Sequence, residues 1–142
     1  MSLQRRIARP LLAAMFIAGG VDALRDPAAK VPVADKVASQ LPGLGEQDTE
    51  TLVKANATVQ LVGGTLLAFG RLPRLSALAL AASLVPTTLA GHRFWEYDDP
   101  AQRQQQQVHF LKNASMFGGL LLAAVDTEGK PGLAWRSRHA AE

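Results

Sequence analysis

Asp22, Lys54, Asn56, Gln60, His92, Trp95, His109, Lys112 and Asn113 are the side chains whose chemistry stands out, because each lies in or beside a long apolar stretch. Two histidines on neighbouring helices at one depth are what a two-histidine haem site requires, and His92 and His109 are spaced for it. The same pair with Asp22 or Glu96 would form a metal donor set, although Lys54 and Lys112 close by disfavour a cation. A quinone headgroup or a lipid phosphate suits lysine and histidine donors better. The plainer alternative is that these groups cap helix ends or snorkel to the interface, with Asp22 pairing to Lys54. At helical spacing His109, Lys112, Asn113 and Met116 share one face. Lys112 then points inward unless Asp22 or a ligand anion receives its charge.

Composition removes other chemistries. The 142 residues contain no cysteine, which excludes disulfides, thiolate nucleophiles, zinc–thiolate sites, iron–sulfur clusters and CxxC redox pairs. The chain has no Ser/His/Asp arrangement, phosphate loop or dinucleotide fingerprint, so no catalytic residue set is assigned. With 15 Lys+Arg against 12 Asp+Glu the net charge is +3, too small and too scattered for a nucleic-acid surface.

The elements that position these residues follow from segregation that the mean hydropathy of +0.06 conceals. Four apolar stretches run over about 7–24, 53–70, 75–91 and 108–125, each near the lower length limit of a spanning helix. Charge placement decides between a soluble bundle and spans. With four spans, one side receives Arg5, Arg6, Arg9, Arg71, Arg74, Lys130, Arg136 and Arg138 against Asp126, Glu128 and Glu142. The other side holds Arg25, Lys30, Lys36, Arg93 and Arg103 against Asp26, Asp35, Glu46, Asp48, Glu50, Glu96, Asp98 and Asp99. The positive-inside rule puts both termini in the cytoplasm. The expectation is one all-α domain over 1–142: an integral membrane four-helix bundle with an uncleaved first span and a basic tail at 129–142, in a bacterial cytoplasmic membrane.

The connections are informative. Gly70 is placed to end the second span and Pro73 to open the third, making a tight hairpin. Val31, Val33, Ala34, Val37, Ala38 and Leu41 recur at helical spacing, which predicts a short amphipathic helix on the membrane surface in the first outer loop, ended by Leu41–Gly45. Asp48 or Thr49 is placed to cap the second span. Phe94, Trp95 and Tyr97 suit the headgroup belt, and Gln104–Gln107 the solvated start of the fourth span. Gly19-Gly20, Gly63-Gly64 and Gly118-Gly119 are expected to let helices approach closely. Pro86 frees a carbonyl within the third span, which Thr87 and Thr88 are placed to satisfy. This topology gathers the nine polar residues in the outer leaflet, as a candidate outward-opening pocket, and leaves the inner half dry.

At FIAGGVDALRDP, VGGTLLAFGRLPRLSALAL and above all LAGHRFWEYDDPAQRQQQQVHFLKNASMFGGLLL, the chain resembles the DoxX family of small bacterial membrane proteins. The Ala-rich composition resembles its actinobacterial members. The resemblance implies a four-helix integral membrane protein. It also implies association with a larger membrane complex, because actinobacterial members are linked to a redox complex with a superoxide dismutase and a sulfurtransferase. The family name comes from a subunit of a thiosulfate:quinone oxidoreductase. The leading expectation is a non-catalytic accessory subunit concerned with redox stress or the cell envelope, with a homo-oligomer also open. The alternatives are a quinone-linked oxidoreductase subunit and a lipid or small-molecule carrier using the outer pocket.

Overall fold

A computed structural model describes residues 2–40, 42–43 and 46–129, apart from the side chains of Glu46 and Gln47. The tail from Lys130 onward, and Leu41, Leu44 and Gly45 of the expected helix breaker, lie outside the described residues. The described chain is helical: α1 (Leu3–Arg25), α2 (Val31–Ala38), α3 (Glu46–Ala68), α4 (Pro73–Gly91) and α5 (Pro100–Val125), with single 3-10 turns at Ala28–Lys30 and Phe94–Glu96. No strand occurs among the described residues.

Four of these helices are long. Three segments, Leu3–Arg25, Pro73–Glu96 and Pro100–Val125, are long and apolar enough to cross a membrane. α3 matches them in length but is more polar; its Asn56 and Gln60 amides are turned into the bundle, as described below.

The ends of the helices follow from sequence. Gly70, at φ 68°, terminates α3 with a double bond pattern: Arg71 N–H donates to Leu66 and Gly70 N–H to Leu67. A left-handed residue is needed there, and glycine adopts it without Cβ strain. Pro73 then starts α4, where its missing N–H costs nothing. α5 begins at Pro100, with Asp99 accepting a bond from the Gln102 N–H at 2.9 Å. This start lies eight residues before the expected span, so Gln104–Gln107 lie in its first two turns. His109, Lys112 and Asn113 are therefore well inside α5, not in its first turns. Thr49 does not cap α3. The helix already starts at Glu46, and the buried Thr49 hydroxyl instead donates to Asp35 of α2 at 3.1 Å.

One end of the bundle carries the first and last described residues and the α3–α4 turn. Here Arg5 donates to both carboxylate oxygens of Asp126 at 2.8 and 2.9 Å. Arg9, 5% exposed, reaches Glu128 at 2.9 Å and Asp126 at 3.4 Å. Arg74 donates to the Ala124 carbonyl at 2.8 Å. The opposite end, called the loop end below, carries residues 26–40 and 92–99. There α2 packs on α3 and α4.

Glycines set the closest approach. A Cβ on Gly20 would lie 2.8 Å from both the Ala57 carbonyl and the Leu61 nitrogen, and one on Gly64 would lie 2.9 Å from the Ile17 side chain. The backbones of α1 and α3 therefore touch, as small residues permit in a membrane bundle. Gly63 admits Leu80 of α4 at 3.3 Å. The apolar core joins Ala13 and Phe16 of α1, Leu67 of α3, Ala77, Leu80, Ala81 and Leu84 of α4, and Leu120 and Ala124 of α5. It occupies the half of the bundle nearer the termini.

Candidate functional site

Above that core the bundle axis turns polar. Thr87 and Thr88 stand side by side on α4, one turn below its loop end, and each faces a different neighbour. Thr87 Oγ1 accepts from Asn56 Nδ2 at 3.0 Å and Gln60 Nε2 at 3.2 Å, both on α3, and donates to the Ser83 carbonyl at 2.9 Å. A hydroxyl has one donor and two lone pairs, so Thr87 is saturated. Thr88 Oγ1 accepts from Asn113 Nδ2 of α5 at 3.0 Å and donates to the Leu84 carbonyl at 2.7 Å. Gln60 and Asn113 are 8% and 6% exposed.

The threonines therefore do not satisfy the carbonyl that Pro86 leaves free, which belongs to Ala82. They bond the next two carbonyls, and α4 continues unbroken from Pro73 to Gly91. The expected repair is replaced by a bracket that ties α3, α4 and α5 together. Sequence reasoning listed Asn56, Gln60 and Asn113 but not the hydroxyls that join them. The signal was present: two adjacent threonines within an apolar span, level with amides on both neighbouring helices.

One turn nearer the loop end, His92 of α4 and His109 of α5 stack with ring centroids 5.1 Å apart and planes 24° from parallel. His92 Nδ1 lies 2.8 Å from Gln106 Oε1, within hydrogen-bond distance. Stacked rings turn their faces, not their nitrogens, to one another, so no atom is held between them as both would hold a haem iron or a metal ion. Among the described residues no group of three His, Cys, Asp or Glu is arranged to bind a metal. Beside this pair, Phe94, Trp95 and Phe110 meet edge to face at centroid distances of 5.2 to 5.9 Å. Trp95 is 48% exposed and does not reach the amide network.

The remaining candidates separate. Asp22 pairs with Lys30 at 2.5 Å, not with Lys54, because the turn after α1 brings Lys30 back over the helix end. Lys54 pairs with Glu50 one turn earlier on α3, at 2.6 Å. Lys112 is half-buried on α5 and has no hydrogen-bond or ion-pair partner among the described residues. A shallow groove of ≈ 360 Å³ on the same helix is lined by Ala101, Gln104, Gln105, Val108 and His109. The nine predicted residues thus form two layers on the bundle axis, two ion pairs at its loop end, one aromatic contact and one unpaired cation.

The DoxX family model matches residues 5–93, from the start of α1 to just past the end of α4. The match ends before the Gln-rich block and α5, where much of the resemblance had been read. No curated protein and no solved structure shows a significant match. A match over well more than half of the chain, on a helical membrane-like fold, means that the chain belongs to the DoxX family of small membrane proteins.

Proposed function

We propose that this protein is a non-catalytic accessory subunit of a larger bacterial membrane complex, concerned with redox stress or the cell envelope. The termini would be cytoplasmic and the loop end outside. One observation carries this reading. Gly20, Gly63 and Gly64 each admit a neighbouring helix of the same chain, but Gly118 faces open space with nothing within 4 Å. Ala114, one turn earlier, is exposed beside it. A glycine costs helix stability without return unless something approaches it. In lipid, a partner's transmembrane helix is what such a position admits closely. The polar groups on the axis support the same reading, since Asn56, Gln60, Thr87, Thr88 and Asn113 are used to hold helices together.

Affinity purification of the full chain from native membranes in mild detergent, followed by mass spectrometry, tests this. A near-stoichiometric membrane partner is expected, lost in Gly118→Leu while the variant keeps its helicity. Wild-type protein recovered alone after gentle crosslinking would overturn the reading.

A second reading, a quinone-linked oxidoreductase subunit, draws on Lys112 and His109 as donors on one face of α5. It predicts that Lys112→Gln or His109→Gln stops quinone-dependent electron transfer without unfolding the bundle. Wild-type turnover in both would eliminate it.

A further inference from the structure

α1 and α5 are antiparallel, joined at the terminal end by Arg5 and Arg9 on Asp126 and Glu128. The next contact fixes their register: the Cβ position of Gly119 lies 3.5 Å from Leu12. Seven residues are nearly two helical turns, about 10 Å, and return to almost the same face. Moving that distance towards the loop end brings Leu12 to Gly19 and Gly119 to Lys112. The cation on α5 therefore comes level with a residue of α1 that has no side chain.

Gly19 also opens towards α3. A Cβ there would stand 3.5 Å from Gln60 Oε1, ordinary contact distance. That oxygen has no hydrogen-bond partner among the described residues, because Gln60 bonds Thr87 through Nε2 only. Nor is it sealed off: the fully buried, unpartnered side-chain oxygen among the described residues is Ser83 Oγ. On this register the side-chain-free position at Gly19 stands between Lys112 and Gln60, an ammonium and an amide carbonyl without partners among the described residues. Asp22, Glu50 and Glu96 at this end are engaged with Lys30, Lys54 and Arg93 respectively. An uncompensated lysine at membrane depth is costly, and such residues usually face a partner.

We propose that this gap between α1 and α5 binds the headgroup of an anionic, hydroxyl-bearing phospholipid. Its phosphate meets Lys112, and a headgroup hydroxyl donates to Gln60 Oε1. A quinone fits less well. Its two carbonyls are acceptors, and it offers no donor to Gln60 Oε1. The inference is independent of the accessory-subunit reading, and a failed partner search would leave it standing.

The test is a titration of the full chain in uncharged detergent with phosphatidylglycerol and, separately, phosphatidylcholine, with binding read by native mass spectrometry. Phosphatidylglycerol is expected to bind roughly tenfold or more tightly than phosphatidylcholine, whose choline cation offsets the phosphate beside Lys112 and which has no headgroup hydroxyl for Gln60 Oε1. Lys112→Gln should remove that preference and Lys112→Arg should keep it. Gly19→Leu, which fills the gap, should weaken phosphatidylglycerol binding by a similar factor, with circular dichroism showing both variants folded. Equal binding of the two lipids, or wild-type preference in both Lys112→Gln and Gly19→Leu, overturns the proposal. Displacement of phosphatidylglycerol by a water-soluble quinone would also overturn it and favour the quinone reading.

Discussion

Thr87 is the residue on which the polar axis depends. Its hydroxyl serves two amides, half-buried Asn56 and buried Gln60, and one carbonyl at once. Thr87→Val keeps the shape and removes all three bonds, leaving Asn56 and Gln60 without their acceptor. Interhelical hydrogen bonds in membrane bundles are each worth about 0.6 kcal/mol and rarely more than about 1.7 kcal/mol. Thr87→Val is therefore expected to destabilise the protein by about 1–2 kcal/mol, and Thr88→Val, which loses one interhelical bond instead of two, by roughly half as much. Unfolding in increasing fractions of sodium dodecyl sulfate, followed by circular dichroism, measures both. Equal losses in the two variants would mean that the second amide bond on the α3 side adds nothing. The spread of predicted site residues has its cause at this scale too. Type and depth single out Asn56, Gln60 and Asn113 in the sequence. Which acceptor each takes depends on the rotation of α4, which a sequence does not display.

Among the elements, the glycine pairs make the sharpest contrast. Gly20→Ala would drive a methyl against the backbone of α3 at 2.8 Å, where nothing flexible can yield, and should cost about 2 kcal/mol or more. Gly118→Ala meets empty space and should leave stability unchanged or slightly raised. Thermal unfolding of both purified variants distinguishes them, and equal losses would refute the crossing described for α1 and α3. The sequence showed the three pairs and their role in close packing. It did not show that Gly118 stands apart, because that depends on which face of α5 the other helices cover. Helix ends were more legible: Gly70 and Pro73 act locally, and the α3–α4 hairpin lies where they place it. The solvated start expected at Gln104–Gln107 lies within α5, whose first residue is marked one turn earlier by Asp99 and Pro100. α2 follows its apolar spacing, yet it is anchored to α3 through Asp35 and Thr49 and does not simply rest on a surface.

Over the whole molecule, the first and last long helices are joined at the terminal end by charge. The Arg5 guanidinium and the Glu128 backbone N–H, both donating to Asp126, hold its carboxyl at about 2, well below the usual carboxylate range. An unfolded aspartate titrates near about 3.9. The folded value is depressed, so the contribution to stability is complete above the unfolded value and declines as pH falls from about 4 through about 2. Unfolding measured across that window should show wild type losing stability towards acid more steeply than Asp126→Asn. Parallel curves would remove the ion pair from the account. The same joint, with the α1–α3 contact, has a consequence for biosynthesis. The closest backbone approach described is between helices whose contact points, Gly20 and Ala57, leave the ribosome about 40 residues apart. At about 5–20 residues per second, α1 waits seconds in the bilayer before its partner is made. Its clasp to Asp126 waits until nearly the entire chain is out. The newborn first helix, with its glycines bare and the Arg5–Asp126 joint not yet made, is therefore the stage at which an insertion factor or a premature partner would find this protein most receptive.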